Sequence, residues 1–353
     1  MIDMISVLKV MIEHDASDAF FTVASPPRIK VAGKLLTVGK VALTAEMAKA
    51  IVYKMMTDEQ RIYFEKELEI DFAISIPELH ARFRVNAFRQ QGVISAVLRL
   101  IKSIVPKLEE LYLPDVLSEL ISRKRGLLLM VGATNSGKST TLAAMLNYRN
   151  EHQSGHIVTI EDPIEFVHPH KKSLVNQREL GVDTRSYEKA LRSAMRESPD
   201  VILVGEIRDR ETMSAALELS NTGHLAISTL HANNANQAMQ RVINMYAQEQ
   251  HKQLYMDLSL NLVAVISQRL VPSVAGKRVA AIEIMINNPH VADLILNGRI
   301  DEIKDAMKDS GSKGMQTFDM ALYELYKNGF ITLDAALDNS DSRTNLEAKI
   351  NFG

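Results

Sequence analysis

The chain has 353 residues, more than one hydrophobic core usually organises, so two domains are expected. Hydrophobic residues make up 46% and charged ones 24%, and 41 basic against 43 acidic residues give a formal net charge of −2, which excludes a general basic field for nucleic acid but not a local basic stripe. There is no cysteine, which excludes disulfides and thiolate metal sites.

The first ten residues lack the basic segment and small-residue cleavage site of a signal peptide. No apolar run approaches the ~18 residues that span a bilayer. A soluble, cytoplasmic protein is expected. Residues 1–101 read as a mixed α/β domain. Ile5, Leu8, Met11 and Ile12 fall at helical spacing, Arg28 to Gly33 alternates like a strand that turns at the glycine, and one helical stretch runs from Thr44 to Lys66. From His80 to Arg89, Ala81, Phe83, Val85 and Ala87 fall on one strand face and Arg82, Arg84 and Asn86 on the other. A turn at Gln91-Gly92 sends the chain back through Val93 to Leu100, which carries Arg99. This hairpin presents up to three guanidinium groups on one surface, as a solvated face or as a phosphate-facing one. Residues 102–114, bracketed by Pro106 and Pro114, read as a linker.

Residues 115–280 read as an α/β domain in which strands at 127–131, 157–160, 201–204 and 225–229 alternate with helices, the pattern of a parallel sheet covered on both faces. Tyr187, Ala190, Leu191, Ala194 and Met195 mark one of those helices. Residues 281–353 read as helical and polar, with helices at 290–297, 300–308 and 315–328, breaks at Gly298 and at Gly311 to Gly314, and a loosely held tail from Asn339 onward.

The strand at 127–131 runs into Gly132, Ala133, Thr134, Asn135, Ser136, Gly137, Lys138 and Ser139, which fit G-x-x-x-x-G-K-[ST] and are followed at Thr140 by a helix start, so the 115–280 domain reads as a nucleotide domain. Backbone N–H groups of such a loop and the positive end of the helix dipole attract a triphosphate. Lys138 reaches the β- and γ-phosphates, and Ser139 ligates Mg²⁺.

Three later segments add chemistry. Val201 to Glu206 is a buried strand ending in Gly205-Glu206, with glycine where a strand-end aspartate usually stands. Ligands gather at such strand ends, so Glu206 can hold Mg²⁺ through water or polarise a water. Glu161, Asp162 and Glu165 are held around Pro163 in an irregular turn, where mutual repulsion calls for a compensating cation. Either Glu165 or Glu206 suits the general base for hydrolysis. Within Gly223 to His231, Leu225 to Thr229 is a strand with a histidine at each side, His224 and His231. A neutral imidazole there can sense a γ-phosphate or simply cap the strand, and the spacing does not fit a metal site.

Taken in this order, the segments resemble the secretion ATPase superfamily that drives type IV pili and type II secretion. The loop is similar to its Walker A, Thr159 to Glu165 to its Asp box, Val201 to Glu206 to its atypical Walker B, and Gly223 to His231 to its His box. Ala16 to Asp18, Arg82 to Phe88 and Leu191 to Arg196 extend the resemblance, which covers about residues 1–290. It is strongest to the pilus-retraction branch, PilT and PilU. The stretch Val291 to Ile300, which lacks the PilT signature, and the tail Ser342 to Leu346 are on the PilU side.

The resemblance implies a PAS-like α+β N-terminal domain, a RecA-like P-loop α/β domain with C-terminal helices, and a homo-hexameric ring. It implies that ATP and Mg²⁺ bind between the domains, with Arg84 and Arg99 reaching the γ-phosphate and His231 beside it. It implies a cytoplasmic motor, peripheral at the inner membrane, that acts on the platform protein of the pilus machine and drives retraction and twitching motility beside a PilT-like motor, with no nucleic acid as partner. A nucleic-acid translocase with the same core and a non-hydrolysing ATP-binding ring component are the alternatives.

Overall fold

The computed structural model describes residues 3–101, 105–309 and 313–352. Positions 102–104 of the expected linker, and Gly311 and Ser312 of the expected helix break, lie outside the described residues. The chain divides into two compact units, Met1–Ile104 with Glu165–Val167, and Val105–Ile164 with His168–Gly353.

The first unit is an antiparallel sheet with helices. Its strands are β1 (Asp18–Phe21), β2 (Arg28–Val31), β3 (Lys34–Thr37), β4 (Glu69–Ile76), β5 (Ala81–Gln90) and β6 (Val93–Ile101), ordered β3-β2-β1-β6-β5-β4. Phe83, Val85 and Ala87 are buried, as the alternation predicts, with Phe21, Phe64 and Leu98 in the same core. Gln91 and Gly92, both at positive φ, make the two-residue turn that matches strand twist. The first helix, Met4–Glu13, is rotated from the expected face: Met4, Val7, Leu8 and Met11 are buried, while Ile5 and Ile12 are half-buried. The stretch expected as one helix from 44 to 66 is two, Ala45–Met55 and Asp58–Glu67. The break has a local cause. Thr57 caps the second helix by accepting from the Gln60 N–H (3.2 Å), and the Gln60 side chain accepts from the Thr57 N–H (2.9 Å).

The second unit is built on β7 (Gly126–Val131), β8 (Gly155–Glu161), β9 (Ser173–Glu179), β10 (Val201–Glu206), β11 (Leu225–Leu230), β12 (Leu262–Pro272) and β13 (Arg278–Ile286), ordered β13-β12-β7-β11-β10-β8-β9. All neighbours are parallel except β12 and β13. Leu127, Leu129 and Val131 of β7 enter one core, and Leu128 and Met130 the other, so both faces of the sheet are covered. Strands β9, β12 and β13 were not legible beforehand, and β13 runs through the boundary expected at residue 280. Part of the expected linker packs into this unit, with Leu108 buried beside Leu117 and Leu128.

The C-terminal helices are Pro289–Leu296, Ile303–Asp309, Phe318–Lys327, Leu333–Asp338 and Arg343–Phe352. The tail from Asn339 is docked, not loosely held. Asp341, its side chain 10% exposed, pairs with Arg269 of β12 at 2.6 Å and with Lys304 at 2.9 Å, and Leu346 is buried with Phe318, Leu322 and Val271. Burial opposes the charged form of Asp341, yet the hydrogen bond from Lys304 and the nearby Arg269 guanidinium hold its carboxyl below the usual range. Charge that reads as solvation in the sequence is an internal ion-pair network in the fold.

Candidate active site

Strand β7 delivers the phosphate loop at its carboxyl end, and the helix Lys138–His152 leaves from it. Gly137 has φ +87°, a backbone state L residues rarely adopt, and caps the helix. Ala133, Thr134 and Asn135 are exposed, while Gly137 to Thr140 are half-buried. The Lys138 ammonium donates to the carbonyls of Gly132 (2.7 Å) and Ala133 (2.9 Å), so it folds over the loop it belongs to. The Ser136 residue is 7% exposed, and its hydroxyl is buried with no hydrogen-bond partner among the described residues. A buried hydroxyl without a partner is disfavoured unless something supplies one. A phosphoryl oxygen would, so the loop's residues fit a polyphosphate. Cavities of about 300 and 270 Å³ flank the loop, both lined by Ala133 and Asn233.

Glu206 ends β10, two strands from β7. A register shift between Val204 and Glu206 sets the Glu206 backbone opposite Thr229 of β11, a bulge that re-aims the side chain. The Glu206 side chain is 18% exposed. Its Oε1 lies 3.2 Å from His231 Nε2, and its Oε2 accepts from Arg208 Nε at 2.9 Å. Two site residues read separately in the sequence are thus brought together, and Arg208 joins them. The glycine at 205 has a steric reason. A Cβ there would stand 2.9 Å from the Tyr187 hydroxyl. That hydroxyl is pushed up to about 12 by burial and by the carboxylates of Asp162, Glu206 and Glu161, so it remains a donor at neutral pH.

The segment after β11 is fixed from outside. Arg241 Nη1 donates to the His231 carbonyl (2.9 Å), and Ala235 N–H donates to Glu283 Oε1 (2.8 Å). Burial pushes the Glu283 carboxyl up. His224 is not part of this site. Its Nδ1 lies 3.1 Å from Thr222 Oγ1 at the other end of β11, about 20 Å of strand from His231.

At the end of β8, Glu161 Oε1 accepts from Thr159 Oγ1 (2.6 Å) and Gln177 Nε2 (3.2 Å). The buried Glu179 accepts from the Ile164 N–H at 3.3 Å, and Glu165 is exposed. In the first unit, Arg84 and Arg99 stand directly opposite each other on β5 and β6. Like charges in that position repel. Carboxylates on the outer strands compensate, with Asp71 at 3.5 Å from Arg84 and Asp18 at 2.8 Å from Arg99.

Sequence reasoning missed Gln268, Arg208 and the roles of Tyr187 and Arg241. The polar step Ser267 to Arg269 within the otherwise apolar stretch Leu262 to Val271 was the available signal for Gln268. Arg208 stands two residues after Glu206, a local signal that was available, whereas Tyr187 and Arg241 had none, because their partners are set by the tertiary fold.

Residues 2–316 match the family described as Type II/IV secretion system protein. The chain is 49% identical over 348 residues to the type IV pilus ATPase PilU of Pseudomonas aeruginosa, covering 98% of this chain and 91% of that one. It is 44% identical over 338 residues to the type IV pilus retraction ATPase PilT of the same organism, covering 96% and 98%. Among solved structures, the pilus retraction motor PilT with bound ADP matches with a TM-score of 0.92 at 40% identity, covering 98% of this chain and 99% of that one. The two-sheet α/β architecture is therefore an N-terminal domain followed by a RecA-like ATPase domain.

Proposed function

The chain belongs to the type II/IV secretion system protein family, and we propose that it is an ATP-hydrolysing motor of the type IV pilus machine that drives pilus retraction and twitching motility. The observation that carries this reading is the phosphate loop with its buried, partnerless Ser136 hydroxyl, in a chain similar over nearly its whole length to PilU and PilT. The finer reading is a homo-hexamer at the cytoplasmic face of the inner membrane. It works on the platform protein of the pilus machine as an accessory to a PilT-like motor.

Residues Gly132 to Thr140 bind the phosphates of ATP, and Lys138 exchanges its loop carbonyls for β- and γ-phosphoryl oxygens. Mg²⁺ supplies charge neutralisation at those oxygens when bound, and Ser139 and Glu206 are the residues that would hold it. Glu206, oriented by His231 and Arg208, or the exposed Glu165 takes the proton of the attacking water. Arg84 and Arg99 neutralise charge on the transferring phosphoryl group, each giving up its present carboxylate partner.

The test is phosphate release by the purified full chain beside Glu206→Ala, together with live-cell imaging of pili in strains lacking this protein, its PilT-like companion, or both. Steady ATP turnover by the wild type, and impaired retraction in its absence, are expected. A wild type that binds ATP without releasing phosphate would make it a non-hydrolysing ring component.

A further inference from the structure

Strand β12 pairs in parallel with β7, and the last pair in the register is Ser267 with Val131. Gln268 is the next residue along, so it stands beside the phosphate loop where β7 ends. It is 3% exposed. Its Nε2 donates to the Ser136 carbonyl at 2.8 Å, and its Oε1 accepts from Thr141 Oγ1 at 2.8 Å. A carbonyl can only accept, so the amide orientation is fixed by Ser136, and Thr141 must be the donor on the other side. One side chain thereby ties the body of the loop to the first turn of its helix.

The same residue packs against both loop glycines. A Cβ on Gly132 would stand 2.6 Å from the Gln268 carbonyl oxygen, and one on Gly137 would stand 2.7 Å from its Nε2. The chemistry tolerates few replacements. Glutamate would set an acceptor against the Ser136 carbonyl and a negative charge beside an anion-binding loop. Asparagine is one methylene too short to reach both partners.

We propose that Gln268 is a positioning residue that holds the phosphate loop in its anion-receptive shape before nucleotide arrives. This rests on the reading of the loop as an ATP site. A pre-shaped loop loses less conformational freedom on binding, so the effect belongs to affinity for the phosphates more than to the chemical step.

Gln268→Met keeps length and apolar volume while removing both hydrogen bonds. The expected result is a loss in affinity for mant-labelled ADP and a rise in KM for ATP, both on the order of tenfold, with a smaller change in kcat. Thr141→Val removes one of the two bonds and should show part of the same loss, Thr141→Ser should restore it, and the double variant should lose less than the sum. Should Gln268→Met not fold, the Thr141→Val and Thr141→Ser pair carries the test. Wild-type ADP affinity in Gln268→Met or Thr141→Val would overturn the proposal, as would strictly additive losses or an equal fall in kcat and affinity. A wild-type protein that binds no nucleotide would instead sink the functional reading itself.

Discussion

In the first unit the antiparallel sheet carries charge on a face: Arg84 and Arg99 stand side by side on β5 and β6, each already matched to a carboxylate of a flanking strand. In the second unit the parallel sheet has no free face, because alternate residues of β7 enter two different cores. Its chemistry is confined to strand ends, where Gly132 to Ser139 follow β7, Glu206 ends β10 and His231 follows β11. A covered sheet has to place reactive groups where the strands stop, and backbone geometry then fixes them closely. A one-sided sheet can carry long side chains that change partners. The strand ends should therefore be unforgiving and the arginine face adjustable.

The hardest test of that contrast is Lys138→Ala, for which ATP turnover in a phosphate-release assay should fall below detection while the protein stays folded. Turnover at the wild-type level would remove the loop from the mechanism. Glu206→Gln comes next and should lower kcat by on the order of 10²–10⁴ with ADP affinity nearly kept. A matching loss in Glu165→Gln, with Glu206→Gln unaffected, would move the base to Glu165. Arg84→Ala should lower kcat by roughly 10²-fold and KM little. Equal losses in rate and affinity would reduce the residue to a binding role.

Smaller effects concern buried charge inside the second unit, where the sheet leaves no adjustable face. His168 is 7% exposed, and burial, with Lys171 nearby, pushes its imidazole down to about 4. A histidine held neutral stabilises the fold above its unfolded value of 6.5, and that contribution drains away as pH falls from there toward 4. Stability measured by denaturant titration should drop by about 3 kcal/mol over this window from this group. His168→Gln should flatten the dependence; an unchanged slope would refute the assignment. Asp341→Asn should cost about 2 kcal/mol by removing the charge paired with Arg269 and Lys304. A thermal unfolding midpoint equal to wild type would mean that the tail is held by Leu346 and its apolar neighbours alone.

Much of the second unit was legible because its signals are contiguous. The run Leu127 to Val131, the glycines of the loop and the helix start after Lys138 lie within a few residues of one another, and short-range sterics suffice to read them. Strands at 157–160, 201–204 and 225–229 were found within one or two residues for the same reason, as continuous apolar runs. The stretch from 44 to 66 divides at a local signal, the Thr57 and Gln60 capping box, which helical periodicity by itself does not show. The tail is the opposite case. Arg269 and Asp341 are 72 positions apart, and nothing near either one announces the pair.

The order of the amino acids determined that a polyphosphate loop sits between a buried strand and a helix, and that acidic and histidine-bearing segments follow it. Only the tertiary structure decided that Glu206 faces His231, that the Tyr187 hydroxyl crowds Gly205, and that Gln268 hydrogen-bonds the loop from 132 residues beyond Ser136. Those pairings depend on strand order and register. Sheet order is set by which apolar faces can be covered together, a property of the whole chain that no short window contains.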